Sequence, residues 1–464
     1  MVMADDHAAH AISSYGSRVN QTPNIDRIAS DGMRFDSCFC TNSLCAPSRA
    51  AILTGTYNHV NGVRTLSEEF QSDQDTFVTQ LGAAGYQSAI VGKWHLGHGP
   101  DHDPKGFDYW EVLPGQGDYF DPEFVTESGR ARRPGYVTDI ITDLSLDWLG
   151  ARDRERPFCL LVNHKAPHRP WQVDEAHADL YADVSIPEPE TWHDDYSHRS
   201  TAARAARMTV RRDLSKTDLK VDVPAGLTAE EEASWKYQRY MKDYLRCIAS
   251  VDDNVGRLLD YLDAEGLTDD TVVVYTSDQG FFLGDHGWYD KRFMYEESLR
   301  MPFLIRYPRE IAAGSSCDDL AVNVDFAQTV LDLAGVGDYP GMQGRSLRPL
   351  LRGEERPDDW RDCVYYRYWE HDSEPHHVWS HYGVRTRTHK LVRYYAAGLG
   401  VPGAVDTTMP PEWELFDLVA DPRELHSVHD DPAYAAVFAD LRSKLAEQQA
   451  LLGDVPVAEP VSQG

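Results

Sequence analysis

The 464-residue sequence has no C-x-x-C pair, and its few cysteines are scattered (Cys38, Cys40, Cys45, Cys159, Cys247, Cys317 and Cys363). A zinc ribbon or a thioredoxin-type redox site is therefore not expected. No apolar run approaches the length of a membrane span, and no signal peptide precedes the first apolar run. We therefore expect a cytoplasmic protein with free thiols and no membrane association, although a truncated N-terminus would leave export open.

Basic residues are also scarce relative to acidic ones. The sequence has 45 Lys plus Arg and 75 Asp plus Glu, which gives a formal net charge of −30. Such a surface repels nucleic acid and anionic membranes. An anionic substrate would have to be bound by a local group of basic side chains, because the overall field opposes its approach.

Continuous apolar runs predict four strands that end in polar residues. They cover residues 2–4 before Asp5-Asp6, 88–92 before Lys93-Trp94-His95, 158–162 before Asn163-His164, and 271–277 before Asp278-Gln279. Continuous rather than alternating apolar character indicates strands that are covered on both faces, and hence a mostly parallel sheet. Ligands of such sheets bind at the carboxyl ends of the strands, so these polar residues can meet in one cleft.

Helical segments alternate with the strands. One helix is predicted from Thr22-Pro23 to Gly32, because Thr suits the cap, Pro the first position and Gly the end. Others are predicted at 75–84 and 138–149, and a long helix follows the capping box Thr228-x-x-Glu231.

The C-terminal part of the sequence has a different pattern. Residues 182–227 lack periodicity and are predicted to form a long surface excursion, and Gly, Pro and charge cluster at 337–360. Strand-like runs and a C-terminal helix come afterwards. We predict an α/β domain over 1–350, with a large mostly parallel mixed sheet sandwiched by helices, and a smaller α+β domain over 351–464 with an antiparallel sheet.

Residues 42–57 combine C-x-P-S-R with a short apolar helical run that ends at Gly55. Because Pro47 suits the first turn of a helix, Cys45 is expected at a helix N-terminus, where free N–H groups and the helix dipole favour an anion. Arg49 lies four residues later on the same helix face. The alternative is a buried and chemically inert cysteine at the start of a helix.

Two further groups of residues indicate chemistry. Asp5, Asp6, Asp278 and Gln279 offer only oxygen ligands, which suit a hard cation such as Ca²⁺ or Mg²⁺, and buried carboxylates without a partner would be costly. In Gly92-Lys93-Trp94-His95-Leu96-Gly97, the lysine and the histidine are two residues apart. They are therefore expected on the same side of an extended segment.

The order of these stretches resembles that of the sulfatase family across nearly the whole chain. It comprises an acidic pair, C-x-P-S-R, G-K-W-H-L-G, the Pro167-His168 loop, S-D-x-G, and Lys291 within Asp290-Lys291-Arg292. Sulfatases hydrolyse sulfate esters on an alkaline phosphatase-like fold, and a formylglycine-generating enzyme oxidises their motif Cys to formylglycine. The resemblance implies that Cys45 undergoes this oxidation and becomes the nucleophile.

The resemblance also implies a divalent metal and a set of catalytic groups. Asp5, Asp6, Asp278 and Gln279 would bind the metal, Ca²⁺ in preference, and the formylglycine from Cys45 would complete the shell. Many sulfatases have Asn where this sequence has Gln279, which leaves the metal geometry open. Arg49 would hold the formylglycine hydrate. Lys93, His168 and Lys291 would bind the sulfate oxygens, and His168 or Lys291 would protonate the departing alcohol. His95 would be the base that restores the aldehyde.

Three other stretches of the sequence indicate the substrate class. Residues 284–298, 106–117 and 365–385 resemble the bacterial N-acetylglucosamine-6-sulfatase-like branch, which implies a sulfated sugar such as 6-sulfated N-acetylglucosamine. His376, His377 and Arg385 are the candidate sugar contacts. Two alternatives stay open: a phosphodiesterase or phosphonate monoester hydrolase on the same scaffold, and a non-catalytic binding protein with unmodified Cys45. The presence of both a candidate acid and a candidate base argues against the second alternative.

Overall fold

The computed structural model describes residues 1–17 and 19–458. The strands of these ranges are β1 Val2–Ala4, β2 Met33–Phe35, β3 Cys38–Phe39, β4 Gln87–Lys93, β5 Tyr109–Leu113, β6 Glu123–Thr126, β7 Gly129–Arg132, β8 Phe158–Asn163, β9 Val273–Ser277, β10 Phe282–Leu283, β11 Tyr289–Asp290, β12 Phe303–Arg306, β13 Ser315–Cys317, β14 Ala321–Val322, β15 Cys363–Tyr368, β16 His381–Thr386, β17 His389–Tyr394 and β18 Glu412–Asp417. The α-helices are α1 Pro23–Ser30, α2 Cys45–Thr54, α3 Asn58–Asn61, α4 Phe77–Ala83, α5 Val137–Ala151, α6 Thr201–Ala205, α7 Val210–Asp213, α8 Lys216–Leu219, α9 Ala229–Ala264, α10 Glu296–Leu299, α11 Asp325–Leu333, α12 Arg348–Leu351 and α13 Ala435–Leu452.

A ten-stranded sheet forms the centre of the protein, in the order β13-β2-β12-β9-β1-β8-β4-β5-β6-β7. The central strands β9, β1, β8, β4 and β5 run parallel, and antiparallel strands adjoin them on both sides. Val2 of β1 pairs with Val162 on one side and Tyr275 on the other, so the carboxyl ends of these strands lie at one edge. The predicted large, mixed and mostly parallel sheet is confirmed.

Helices cover both faces of this sheet. Helices α1, α5 and α9 pack against one another over one face, and α2, α4 and α11 do so over the other. Successive residues of β4 alternate between the two layers, since Ala89 and Val91 pack with the first group and Ile90 with the second. This alternation explains why the central strands are apolar without a polar face.

The predicted helices are also confirmed, because local signals determine their ends. Thr228 and Glu231 form the reciprocal capping box at the start of α9, and Thr76 caps α4. No helix of the described residues is long and apolar enough to cross a membrane.

The C-terminal strands β15, β16, β17 and β18 form an antiparallel sheet in sequence order, and α13 packs on it. Its core is continuous with that of the large sheet: Phe303 of β12, Tyr365 of β15 and Val384 of β16 belong to one apolar cluster. The division at 350/351 falls inside α12 and stays a prediction.

The segment 182–227 differs from the prediction of a surface excursion. Trp192, Ala202, Met208 and Val210 are buried, and the short helices α7 and α8 contact α9. The apolar residues of this segment follow no helical or strand period, because the segment winds over several elements. The sequence pattern therefore does not indicate this packing.

Candidate active site

Cys45 is the first residue of α2, and every residue of this helix is buried. Gly55 ends the helix in a left-handed conformation, with φ 64°. The Nζ atom of Lys291 lies 3.9 Å from the Cys45 Sγ atom. Burial raises the pKa of the Cys45 thiol, although Lys291 and Lys93 act in the opposite direction. The unmodified residue is therefore a thiol rather than a reactive thiolate.

Three carboxylates converge beside Cys45. Asp5 and Asp6 follow β1 and Asp278 follows β9, and each offers an oxygen within 4.8 Å of the others. All three are fully buried, as is Gln279. Among the described residues, Asp5 Oδ1, Asp6 Oδ2 and Gln279 Oε1 have no hydrogen-bond partner. Orphaned buried oxygens of this kind are costly, and they fit the oxygen ligand set of a hard divalent cation.

Burial and neighbouring charges change the pKa values of this cluster. Burial, together with the neighbouring Asp5 carboxylate, raises the pKa of Asp6 to about 7 and that of Asp278 to about 6. Burial alone would also raise the pKa of Asp5, but the adjacent Lys93 ammonium and other nearby cations hold it well below its usual range. A bound divalent cation would add positive charge to that of Lys291 beside Asp6 and of Arg49 beside Asp278.

Basic side chains surround the carboxylates. The Arg49 guanidinium donates to Asp278 Oδ2 at 3.1 and 3.0 Å and to the Lys93 carbonyl at 2.9 Å. The Lys93 ammonium donates to Asp5 and to Gln116 Oε1, and the Lys291 ammonium donates to Asp6. The structure therefore brings these three basic side chains to the acidic cluster.

The two candidate histidines are neutral and lie in the same cleft. His168 Nδ1 lies 2.8 Å from the Arg169 carbonyl and must donate to it, so Nε2, 3.7 Å from Asp6 Oδ2, is free. His95 is left-handed, with φ 57°, and not extended as expected, because the backbone turns after β4 ends at Lys93. Burial lowers the pKa of both histidines well below the usual range.

The candidate sugar contacts lie in different places. His376 is buried, and its Nε2 atom lies 3.2 Å from Asp290 Oδ2. Asp290 directly precedes Lys291 in the chain. His377 is partly exposed and pairs with Asp372 at 3.1 Å. Arg385 donates twice to Glu296 at 3.1 Å, with its guanidinium 4.6 Å from the centre of the Phe39 ring. The described contacts thus bring His376 to the cleft but not His377 or Arg385, whose roles stay predictions.

The structure adds residues that the sequence did not single out. Arg292 Nε, Glu370 Oε2 and Tyr368 Oη are buried, and none has a hydrogen-bond partner within the described ranges. The Arg292 guanidinium contacts Asp290, and its charge acts on Glu370 and Cys45. The triplet Asp290-Lys291-Arg292 could have indicated the arginine, whereas Glu370 lies in no motif.

Comparisons with known proteins agree with this geometry. The family model described as Sulfatase matches residues 1–336, and the one described as N-sulphoglucosamine sulphohydrolase, C-terminal, matches residues 284–451. The chain is 43% identical to an N-acetylglucosamine-6-O-sulfatase of Bacteroides thetaiotaomicron, over 97% of this chain and 85% of that protein.

Solved structures show the same relationship. One, a complex of a protein with its substrate D-glucosamine-2-N,6-O-disulfate, has a TM-score of 0.91 and 42% identity, covering 98% of this chain and 97% of that one. A phosphonate monoester hydrolase from Silicibacter pomeroyi has a TM-score of 0.76 at 21% identity, covering 97% and 94% of the two chains. The second likeness concerns the fold alone.

Proposed function

The chain belongs to the sulfatase family of sulfuric ester hydrolases, and on this premise we propose that it removes the 6-O-sulfate group of N-acetylglucosamine or of a closely related glucosamine sulfate. The observation that carries this substrate is the likeness to an N-acetylglucosamine-6-O-sulfatase along almost the entire chain. The cleft supports it, because basic side chains and orphaned polar groups surround Cys45.

We propose that Cys45 acts only after conversion to formylglycine by a formylglycine-generating enzyme. Burial keeps the unmodified thiol protonated, which makes it a weak nucleophile. Formylglycine supplies a hydrated aldehyde as the nucleophile and allows release of sulfate without a second attack on sulfur. The position at the start of α2 places this group among free backbone N–H groups, which favour negative charge.

We propose that Asp5, Asp6, Asp278, Gln279 and the modified residue 45 hold Ca²⁺. The set contains carboxylate and amide oxygens, and Ca²⁺ tolerates such mixed ligands and variable geometry better than Mg²⁺ does. Bound at this position, the cation would supply positive charge for the sulfate oxygens.

The remaining catalytic roles belong to the basic side chains. Lys93 and Lys291 each have donors left beyond their carboxylate contacts, and these can bind sulfate oxygens whose charge grows in the transition state. Arg49 fixes Asp278 and the end of β4, and so orients the cluster. The Lys291 ammonium carries a proton that it can pass to the departing alcohol, whereas His168 Nε2 can do so only after it has taken up a proton, because the neutral ring donates from Nδ1. The neutral His95 can accept a proton.

Sugar recognition is proposed for Asp290, Arg292, Glu370 and His376. These groups offer both donors and acceptors within one buried region beside Lys291, which suits pairs of sugar hydroxyls. Arg292→Met should raise KM for a sugar sulfate by about tenfold to a hundredfold, since a buried charge-assisted hydrogen bond contributes about 1.5–3 kcal/mol. The KM of a small aryl sulfate should change little.

The test is a comparison of kcat/KM on fully converted, metal-loaded enzyme. Substrates are 6-sulfated N-acetylglucosamine, its 3-sulfated isomer, 6-sulfated N-acetylgalactosamine and the 2-N,6-O-disulfate of glucosamine. We expect the 6-sulfated glucosamines to exceed the other isomers by about tenfold or more. A preference for the galactosamine or for the 3-sulfate would contradict the proposed substrate.

The phosphoester alternative is separated by matched esters in the same assay. Within the described ranges the clustered carboxylates fit one cation, whereas phosphoryl enzymes with two metals need a further ligand set. We expect the sulfate ester to exceed the matched phosphate monoester by at least about tenfold, about 1.4 kcal/mol of transition-state preference. A faster phosphodiester or phosphonate would favour the alternative.

A further inference from the structure

Lys165 is a buried lysine whose ammonium has neither a hydrogen-bond acceptor nor a carboxylate partner among the described residues. Five lysines of the described residues are buried, and four of them bind acceptors of this protein: Lys93, Lys236, Lys291 and Lys390. Lys165 is only 2% exposed, yet no oxygen of the described residues accepts a hydrogen bond from its Nζ atom. Burying an ammonium without an acceptor is costly, and burial together with the charge of Lys93 lowers the pKa of Lys165 to about 8.

The backbone of Lys165 ties it to the candidate active site. It lies shortly after β8, and its carbonyl accepts the backbone N–H of His168 at 3.0 Å. Its ammonium lies 4.9 Å from the centre of the Tyr119 ring, and the Tyr119 hydroxyl donates to the His168 carbonyl. The ring gives the ammonium a cation–π contact but no hydrogen-bond acceptor.

Within residues 1–17 and 19–458, no carboxylate forms an ion pair with the Lys165 ammonium. The carboxylates that act on Lys165 are those of Asp5, Asp118 and Asp6, and none forms an ion pair with it. Asp5 and Asp6 already bind Lys93 and Lys291, while Asp118 is exposed. An additional unpaired cation next to Lys93 raises the local potential for an anionic group in this cleft.

We propose that Lys165 is a further anion-binding residue of this cleft and binds the sulfate group beside Lys93. The inference rests on the proposed sulfate ester hydrolysis at Cys45 and extends the set of binding residues beyond those that the sequence motifs indicate. In the absence of substrate, the unpartnered ammonium lowers the stability of the fold. When the sulfate enters, the ammonium gains the acceptor that it lacks.

The test uses the metal-loaded protein and inorganic sulfate as the probe. Binding is measured by titration calorimetry and by the rise in Tm with sulfate concentration, for wild type, Lys165→Met and Lys165→Gln. Both variants should bind sulfate at least about tenfold more weakly while their Tm without sulfate stays equal or rises, because the cost of a buried charge is removed. Lys165→Arg should retain most of the affinity. The matched control is Lys236→Met, which removes a buried lysine that has protein partners and should lower the Tm but not the sulfate affinity.

Three outcomes would contradict either the inference about Lys165 or the proposed function. Unchanged sulfate affinity in folded Lys165→Met or Lys165→Gln would overturn the inference and leave the proposed function intact. A wild-type protein that neither binds sulfate nor hydrolyses sulfate esters would instead contradict the proposed function. If both neutral variants fail to fold, Lys165 is a structural cation and the inference is wrong.

Discussion

At the scale of single residues, replacement of Cys45 should remove catalysis without changing the fold. Cys45→Ala removes one sulfur atom at the start of α2 and only one long hydrogen bond, from the Lys291 ammonium to Sγ at 3.9 Å, so the Tm should change little. We expect kcat to fall by at least about 10³-fold, about 4 kcal/mol, because the nucleophile is lost. Cys45→Ser should behave similarly in a host without a serine-modifying system. Substantial turnover by the alanine variant would refute the mechanism.

The acidic cluster leads to a second prediction for one residue. Asp278→Asn preserves shape and removes one negative charge, so it should lower both metal affinity and kcat/KM by about tenfold or more. Elemental analysis and calorimetry on the purified protein measure the metal. Full metal content in this variant would argue against Asp278 as a ligand.

The control for that experiment is Asp252→Asn. Asp252 is also a buried aspartate, but it accepts the backbone N–H groups of Asn24 and Ile25 at the start of α1. Its replacement should reduce stability by about 1 kcal/mol and leave the metal content unchanged. Comparison of the two variants separates loss of a ligand from general loss of stability.

At the scale of elements, the end of β4 links the sheet to the site. Gly92 has φ +102°, and a Cβ atom there would lie 2.1 Å from the Asn163 carbonyl oxygen of β8. Gly92→Ala should therefore separate β4 from β8 and displace Lys93. We expect a loss of at least about 2 kcal/mol in the free energy of unfolding, together with a fall in kcat.

Gly85→Ala is the matched control for this strand end. Gly85 has φ +93°, but a Cβ atom there meets no atom within 4 Å. Only the left-handed backbone is then unfavourable, which costs about 1 kcal/mol. Urea denaturation of both variants measures the difference. An equal loss in the two variants would show that the close approach of β8 is unimportant.

At the scale of the whole molecule, buried neutral histidines predict how stability depends on pH. Burial lowers the pKa of His164 to about 3 and that of His381 to about 4, whereas an unfolded histidine has a pKa of about 6.5. A depressed folded pKa contributes stability that is present above about pH 6.5 and is lost as the pH falls, because the unfolded chain takes up the proton first. We expect the free energy of unfolding to fall between about pH 6.5 and pH 4.

His381→Phe tests this dependence. The His381 ring packs among the rings of Tyr366, Tyr368 and Tyr394, so a phenyl ring fits the same surroundings. Its replacement should reduce the slope of stability against pH in that interval, measured by urea denaturation at several pH values. His193→Phe, at an exposed histidine, is the control and should leave the slope unchanged. Identical slopes for wild type and His381→Phe would contradict the prediction.

The sequence by itself determined the elements and the strand ends that carry chemistry. Local patterns sufficed because helix caps, breakers and continuous apolar runs act over a few residues. The capping box at Thr228, the helix that begins at Cys45, and the acidic residues after β1 and β9 are all of this kind. Because ligands of parallel sheets bind where the carboxyl ends of the strands meet, the sequence also predicted that Asp5 and Asp278 would lie close together.

Only the tertiary structure decided which side chains are left without partners. Lys165 and Glu370 lie in no motif, and they stand out only because distant segments bury the Lys165 ammonium and the Glu370 Oε2 atom without a hydrogen-bond partner among the described residues. Arg385, which the sequence placed at the substrate, is engaged by Glu296. Burial and pairing are set by contacts between residues far apart in the chain, so no local pattern records them.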